Sequence, residues 1–236
     1  MHIPLRRWLL VVCALLLPVL LFAADSNVPD GGIVGNTIWE TIQRGGWVMY
    51  VILGASIVGG MFVLEVSFRI RRGMILPRST EQQLIERDSK LVIDELILDD
   101  SIVVNRVLKA GHVWRNGTSD QVRDSIEEEV DDTLWRLKQA ARPVGIIASV
   151  TPLLGLLGTV IGIIEAFEVV AGEGSMGVNT AALAGGIAKA LLTTCFGLIV
   201  AIPLLLSHHY LVGKIEALVR RSEELVKEYQ ILPPGE

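Results

Sequence analysis

Long uninterrupted apolar runs dominate the hydrophobic pattern of this chain. Three of them, roughly 47–68, 144–170 and 181–207, are each long enough to cross a bilayer as a helix, which needs about 20 residues. Only the segment 171–180 separates the second run from the third. Because a short link joins antiparallel neighbours, we predict that the last two runs form a tight hairpin of membrane helices.

A shorter apolar run opens the chain. Two arginines precede an apolar stretch from Trp8 to Phe22, and two alanines end it. This arrangement is typical of a secretory signal. We therefore predict that 1–24 is a signal peptide, with an uncleaved N-terminal anchor as the alternative.

The polar segment 69–143 carries a helical period that runs into the second span. Its apolar positions recur three and four residues apart, as on one face of a helix. They are Val122, Ile126, Val130, Leu134, Leu137 and Ala141. Asn116–Gly117 followed by Thr118 and Ser119 predicts a break and then the start of this helix.

Two further stripes follow the same period. A weaker one lies upstream, at Leu84, Leu91 and Val92. The other lies in 208–236, at Ile215, Leu218, Leu225 and Tyr229, and stops at Pro233–Pro234. The predicted fold is therefore an all-α membrane protein whose three transmembrane helices extend into a cytoplasmic helical bundle.

The distribution of Lys and Arg orients the predicted spans. Most of the 21 basic residues lie in 69–143, and several more follow the last span in 208–236. The segment 25–46 contains only Arg44, and 171–180 contains none. Because basic residues favour the cytoplasmic side, 69–143 and the C-terminal tail are predicted to be cytoplasmic. The mature N-terminus and the hairpin loop are then periplasmic, in agreement with an exported N-terminus.

The composition excludes several classes of function. The chain is 51% hydrophobic with a formal net charge of −5, which argues against a soluble protein that binds nucleic acid. Its two cysteines lie in apolar runs, and its four histidines lack acidic or cysteine neighbours at ligand spacing. We predict no metal site, no cofactor and no enzymatic activity. The pair His208–His209 is interpreted as a solvated helix end at the membrane surface.

Lys189 is the only charge in the third span. A lysine in the middle of a membrane helix costs about 3 kcal/mol unless it has a partner or water, so Lys189 is a candidate functional residue. Thr193 lies four residues on, and therefore on the same helix face. Glu165 lies at a similar depth in the second span. We expect it to pair with Lys189, within or between subunits, in either a structural or a transport role.

Hydroxyl groups lie near the middle of both helices of the hairpin. Thr159 belongs to the second span and Thr194 to the third, at about the same depth in the bilayer. Together with Lys189 and Thr193 they are candidates for the lining of an ion pathway. The alternative is that each hydroxyl bonds back to a carbonyl of its own helix.

Small residues line one side of the second span. They are Gly155, Gly158 and Gly162, and the last two have the four-residue spacing of closely packed membrane helices. Packing within the chain and self-association both account for them, and we favour self-association. Pro152 and Pro203 lie in the inner halves of their spans, where we expect them to kink the helices.

Two motifs then carry a resemblance. TPLLGLLGTVIGIIEAF, followed by GGIAKALLTTCFGLIVAIP, is similar to the MotA/TolQ/ExbB proton channel family, and looks most like its ExbB-like and TolQ-like members. The motifs cover about 150–206, and the predicted topology extends the resemblance over nearly the whole mature chain. Thr159 and Thr194 match threonines that face the pore in that family.

The resemblance implies an inner-membrane homopentamer around a pair of single-span ExbD-like or TolR-like partners. In the family, an Asp in the partner's membrane helix carries the proton, and the complex turns ion-motive force into work on the envelope. A TonB-like protein would receive that work in an ExbB-like system. The alternatives are a TolQ-like or gliding-type motor and, in a different class, a non-conducting membrane scaffold.

This sequence departs from the family at one position. ExbB-like and TolQ-like members usually have Glu in the motif GIAEAL, where this chain has Lys189. Three interpretations remain open. The lysine could be a counter-charge to the partner's Asp, it could titrate itself after desolvation, or the motor could couple a different ion or have lost conduction.

Overall fold

A computed structural model describes the chain at residues 43, 45–71, 102–114, 117–172 and 180–231. All regular secondary structure in these residues is helical. The helices are α1 (Trp47–Arg71), α2 (Val103–Val113), α3 (Ser119–Gly172) and α4 (Thr180–Ile231). Several sequence predictions lie outside the described residues. They are the signal or anchor in 1–24, most of 25–46, the weaker stripe at Leu84, Leu91 and Val92, and most of the hairpin loop.

Three helices, α1, α3 and α4, are long and apolar enough to cross a membrane. The predicted spans 47–68, 144–170 and 181–207 each lie inside one of them. The last two helices have 54 and 52 residues, far more than the roughly 20 that a bilayer requires. The predictions of an all-α membrane protein and of spans that continue as long helices are therefore confirmed. The cytoplasmic bundle and the homopentamer stay predictions.

The chain divides into two compact units. One, here called the hairpin unit, comprises the described residues of Met1–Met61 and Pro143–Ser207. The other, here called the tail unit, comprises those of Phe62–Arg142 and His208–Glu236. Both α3 and α4 contribute residues to each unit, so the same two helices provide two separate packing arrangements.

The start of α3 in the tail unit is fixed by a capping box. The Gln121 backbone N–H donates to Thr118 Oγ1 at 3.4 Å, and the Thr118 N–H donates to Gln121 Oε1 at 3.0 Å. These bonds satisfy two N–H groups that a helix end leaves without intrahelical partners. The predicted helix start at Thr118–Ser119 is confirmed.

The predicted apolar stripe of α3 faces the core of the tail unit. Val122, Ile126, Val130 and Ala141 are buried there, whereas Leu134 and Leu137 are only partly buried. Thr133, which lies beside this stripe, is fully buried and donates its hydroxyl to Glu129 Oε1 at 3.3 Å.

The buried face of α4 in the tail unit differs in part from the predicted one. Ile215 and Leu225 are buried as expected, but Leu218 is only partly buried, and the side chain of Tyr229 lies outside the described residues. The residues that complete the buried face are Leu211, Val219, Ser222 and Val226. Together with Ile215 they recur three or four residues apart, which is also a helical spacing, so the predicted stripe overlaps the buried face only in part.

The short helix α2 was not predicted. Its buried residues include Val103, Val104, Val107 and Leu108, which form one face of three turns. The eleven residues of this helix are too few for a strong periodic signal. The side chain of Ser125 in α3 donates to the Ala110 carbonyl at 3.0 Å and ties the two helices together.

Polar contacts also join α3 to α4 in the tail unit. Lys138 Nζ lies 2.6 Å from Glu216 Oε1, and Lys227 Nζ lies 2.6 Å from Glu127 Oε1. His208 Nδ1 lies 3.1 Å from the Ala141 carbonyl oxygen. His208 and its neighbour are therefore not a helix end, because α4 continues to Ile231.

In the hairpin unit, α1 packs against both α3 and α4. A Cβ placed on Gly59 of α1 would lie 2.8 Å from Leu204 and 3.3 Å from Ile147. Pro152 and Pro203 lie inside continuous helices, as does Pro143. Each proline removes one backbone N–H donor from its helix.

Candidate functional site

The two long helices of the hairpin unit touch through their backbones. A Cβ on Gly197 would lie 3.0 Å from Gly155 Cα, and a Cβ on Gly155 would lie 3.1 Å from Thr194 Cα. Any side chain larger than the hydrogen of glycine at these positions would prevent the two backbones from lying this close together. Close contact of this kind is how membrane helices associate when lipid supplies no hydrophobic drive between them.

The same contact continues along α3 and α4 toward the loop end of the hairpin. A Cβ on Gly158 would lie 2.5 Å from Thr193 Oγ1, and one on Gly162 would lie 2.9 Å from Ala190 Cβ. The predicted glycine stripe is therefore used within the chain. Of the two readings that the sequence left open, the structure places these three glycines in intrachain packing, so they no longer argue for self-association.

The three candidate threonines have different hydrogen bonds. Thr194 Oγ1 donates across the hairpin to the Gly155 carbonyl at 2.9 Å. Thr193 and Thr159 donate to their own helices, at the carbonyls of Ala190 (2.7 Å) and Leu156 (2.6 Å). The alternative that each hydroxyl bonds to a carbonyl of its own helix is therefore correct for Thr159 and Thr193. Of the three threonines, only Thr194 bonds to the other helix.

These threonines also differ in burial. Thr193 is buried in the helix contact beside Gly158, while Thr159 and Thr194 are partly exposed. Of the two residues in the predicted polar stripe, Lys189 is therefore partly exposed and Thr193 is buried. A pathway lining requires an open surface, which Lys189, Thr159 and Thr194 provide in this chain and Thr193 does not.

Lys189 forms an ion pair with Glu165 inside the hairpin unit. Lys189 Nζ donates to Glu165 Oε2 at 2.6 Å, a distance typical of a strong charge-assisted bond. The pair predicted within or between subunits therefore forms within the chain. The two side chains keep 31% and 45% of their surface exposed, so the hairpin does not seal them.

Sequence reasoning missed the third member of this cluster. Gly46, in the turn before α1, lies so close to Lys189 that an added Cβ would be 2.8 Å from Lys189 Cε. The available signal was the Gly45–Gly46 pair just before an apolar run, which marks a turn. The contact between Gly46 and Lys189 could not be predicted from the local sequence pattern, because the two residues are far apart in the chain.

The described residues contain no group of three or more His, Cys, Asp or Glu side chains that could hold a metal ion. Among the described residues of the hairpin unit, the polar side chains include the Lys189–Glu165 ion pair, the exposed Glu168 and several hydroxyls. Many surrounding side chains are exposed and apolar, among them Leu153, Phe167 and Leu191.

Comparison with known proteins decides the family. Residues 98–224, more than half of the chain, match the MotA/TolQ/ExbB proton channel family. The chain belongs to this family. The match includes the hairpin and much of the tail unit.

Relatives of both ExbB and TolQ type are found. An ExbB homolog of Methanothermobacter thermautotrophicus is 30% identical over 205 residues, which cover 81% of this chain and 69% of the relative. The ExbB-like protein 1 of Synechocystis is 31% identical over 185 residues, covering 74% and 70%. The Tol-Pal system protein TolQ of Haemophilus influenzae is 36% identical over 83 residues, covering 35% and 36%.

Membership of the MotA/TolQ/ExbB family confirms the resemblance inferred from the two motifs. The family consists of transport and energy-transduction subunits rather than enzymes, and its ExbB and TolQ members work with ExbD-type or TolR-type partners. The three apolar helices together with these relatives indicate an inner-membrane protein.

Proposed function

We propose that this chain is the ion-channel stator subunit of an ExbB-like motor that converts ion-motive force into work on the cell envelope. The observation that carries the proposal is the Lys189–Glu165 ion pair, which the hairpin leaves partly exposed. Charges within a membrane helix face a protein interior or a water-filled cavity, because exposure to lipid is costly. A surface that the single chain leaves open must therefore be covered by water or by another subunit.

The hydroxyls extend this polar surface. Thr159 and Thr194 are partly exposed, and both match threonines that face the pore in the family. Their own-helix and cross-helix bonds use the hydroxyl proton and leave the oxygen lone pairs able to accept from water. Lys189, Glu165, Thr159 and Thr194 are the residues we assign to the ion pathway, with Pro152 and Pro203 shaping its helices.

The assembly that suits this surface is a homopentamer around single-span ExbD-like or TolR-like partners, each with a membrane Asp. In that arrangement Lys189 supplies a positive charge close to the partner's carboxylate. The paired Glu165 moderates this charge, since an ammonium group bonded to a carboxylate attracts a second carboxylate less strongly. The distribution of Lys and Arg favours a cytoplasmic tail unit and a periplasmic mature N-terminus.

An ExbB-like role is preferred to a TolQ-like one on the extent of the match. The relatives described above that align with more than two thirds of this chain, from Methanothermobacter thermautotrophicus and Synechocystis, are ExbB homologs, which supports the preference. A TolQ-like role in envelope integrity, or a gliding-type motor, is the second candidate. A neighbouring reading frame for a TonB-like, Pal-like or gliding protein would separate them.

Ion flux into liposomes tests the proposal. The full chain is co-reconstituted with the single-span protein encoded beside it, and proton and sodium uptake are measured for the wild type, Lys189→Ala and Thr194→Ala. Leu191→Ala, at an exposed apolar position of the same helix, is the matched control. We expect flux in the wild type and the control and reduced flux in the other two.

Two results would contradict the assignment. Unchanged flux in both Lys189→Ala and Thr194→Ala would remove these residues from the pathway. An absence of flux in the wild-type complex, with assembly intact, would favour the non-conducting scaffold.

A further inference from the structure

The turn before α1 adopts a conformation that suits glycine. Gly46 has φ +71°, in the left-handed region that side-chain-bearing residues rarely adopt. Its N–H donates to the Gln43 carbonyl at 3.2 Å, and its own carbonyl accepts from the Met49 N–H at 3.2 Å. The turn is therefore tied to the first turn of α1, and its position follows that of the helix.

The space beside Gly46 is filled by the end of the Lys189 side chain. A Cβ at position 46 would lie 2.8 Å from Lys189 Cε and 3.1 Å from Nζ. Both distances are shorter than ordinary van der Waals contact, which starts at 3.4 Å. Even an alanine would push the ammonium group away from its present place.

The other side of the same ammonium group is occupied by Glu165. Lys189 Nζ donates to Glu165 Oε2 at 2.6 Å. A lysine side chain is long and flexible, and one bond at its tip fixes a distance but leaves several rotamers available. The backbone at Gly46 and the carboxylate of Glu165 both lie close to the ammonium group and together restrict these rotamers.

We infer that Gly46 is a positioning residue for Lys189: the turn before α1 and the Glu165 carboxylate together fix where this charge lies. The three residues come from three elements of the hairpin unit, namely the turn, α3 and α4. Movement of the turn would release Lys189 toward other acceptors. The consequence for ion flux rests on the proposed function, whereas the positioning itself can be measured without it.

A double-mutant cycle separates positioning from backbone strain. The variants are Gly46→Ala, Lys189→Ala and the double variant, in the full chain with its partner. The strain of a left-handed alanine is present with either residue at 189, so it cancels in the cycle. The contact with Lys189 does not cancel, because only the lysine reaches position 46.

The expected result is strong coupling between the two sites. Gly46→Ala should lower ion flux by about tenfold when Lys189 is present and by less than about twofold when it is alanine. Equal effects in the two backgrounds, or no effect in either, would overturn the inference. Gly54→Ala and Gly60→Ala are the matched controls, because an added Cβ at either position meets no atom within 4 Å.

A second measurement does not depend on flux. Labelling of Lys189 by a water-soluble amine reagent, followed by mass spectrometry, reports how freely the ammonium group moves. We expect labelling to be several-fold faster in Gly46→Ala than in the wild type or in Gly54→Ala, with labelling of Lys214 unchanged. Equal labelling of Lys189 in all three proteins would overturn the inference.

Folding and function are kept apart by the choice of variants. Should Gly46→Ala not accumulate, Gly46→Asn carries the same Cβ, and asparagine tolerates positive φ better than other side chains. A wild-type complex without flux whose Lys189 labelling still responds to position 46 would contradict the proposed function and support the positioning. Normal flux in the wild type, with Lys189 labelling that does not respond to position 46, would support the proposed function and contradict the positioning.

Discussion

The same two helices, α3 and α4, pack in two different ways along their lengths. In the hairpin unit their contact is made by glycines, with Gly155 and Gly197 bringing backbones together. In the tail unit the two helices bury large branched side chains, such as Ile126 and Ile215, and are joined by Lys–Glu pairs at the surface. One helix pair thus follows two packing rules.

The proposed location of the hairpin unit in the membrane and of the tail unit in water accounts for this difference. In water, burial of apolar surface contributes about 25 cal/mol per Å², so large side chains stabilise a helix contact. In lipid this contribution disappears, and close packing of small residues with hydrogen bonds between helices replaces it. Truncation of large side chains should therefore destabilise the tail unit, whereas enlargement of small ones should destabilise the hairpin unit.

Removal of a large side chain from the tail unit should have the largest effect. Ile215 is 1% exposed, and truncation of a fully buried isoleucine costs about 2–5 kcal/mol. Ile215→Ala should lower the free energy of unfolding by about 3 kcal/mol. Denaturant unfolding of the detergent-solubilised protein, followed by helical circular dichroism, measures it.

Trp135→Ala is the control for this prediction, since this large residue is 62% exposed in the same unit. We expect little change in the free energy of unfolding for that variant. A loss of stability for Trp135→Ala as large as that for Ile215→Ala would contradict the prediction that buried side chains determine the stability of the tail unit.

Addition of a methyl group to the hairpin contact should have the next largest effect. In Gly197→Ala the new Cβ would lie 3.0 Å from Gly155 Cα and 3.1 Å from the Thr151 carbonyl oxygen, so the backbones must separate. Overpacking of this kind costs about 1–3 kcal/mol. The midpoint of thermal unfolding in detergent should fall accordingly.

Gly185→Ala in the same helix has open space for its Cβ and is the control. We expect no loss of stability there, because alanine is a better helix former than glycine. Similar losses in both variants would mean that helix propensity, rather than the contact, determines the outcome.

The sequence predicted the helices well and their contacting faces less well. Periodicity over many turns locates helices such as α3, and the Asn116–Gly117 break followed by Thr118 and Ser119 marks its start. On α4 several stripes of similar apolarity coexist, and local pattern does not decide between Leu218 and Val219. The choice depends on what the neighbouring helix presents, which is tertiary information.

The candidate site was also predictable from the sequence only where it did not depend on tertiary contacts. Equal depth in an antiparallel hairpin was enough to pair Lys189 with Glu165, because a charge in a membrane helix needs a partner. The role of Gly46 was not predictable, since it depends on a contact between residues far apart in the sequence. The glycine stripe was predicted to serve self-association, whereas these three glycines pack within the chain, because small residues indicate close packing without identifying the partner. Self-association itself stays a prediction.

Loss of the hydroxyl that bridges the hairpin should have a moderate effect. Thr194→Val removes the bond to the Gly155 carbonyl with little change in volume. Bonds between membrane helices contribute about 0.6 kcal/mol on average, so we expect a destabilisation near this value. The thermal midpoint in detergent measures the loss. Thr159→Val, which removes only an own-helix bond, should lose less, and the reverse order would contradict the cross-helix role.

The partly buried Lys214 of the tail unit should make stability depend on pH. Burial lowers the pKa of Lys214 below its usual value of 10.5. The unfolded chain therefore binds more protons between the folded pKa and 10.5, and stability should rise with pH in that window. Lys214→Met should be more stable at neutral pH and should lose this rise, as measured by unfolding at several alkaline pH values. An unchanged pH dependence would contradict the role of burial.

The smallest effect is expected at the exposed ion pair between α3 and α4. The hydrogen bond and charge of Lys138 lower the pKa of Glu216 below its usual value of 4.5. A carboxyl group with a lowered folded pKa stabilises the fold above its unfolded pKa and loses this contribution as pH falls through the folded value. Glu216→Gln should therefore be slightly less stable than the wild type at pH 7, and the two should converge at acid pH, below the folded pKa of Glu216. Unfolding at both pH values measures the difference, which should stay well below that of Ile215→Ala, because exposed pairs contribute little. A larger effect than that of Ile215→Ala would mean that ion pairs, rather than buried side chains, hold the two helices together in the tail unit.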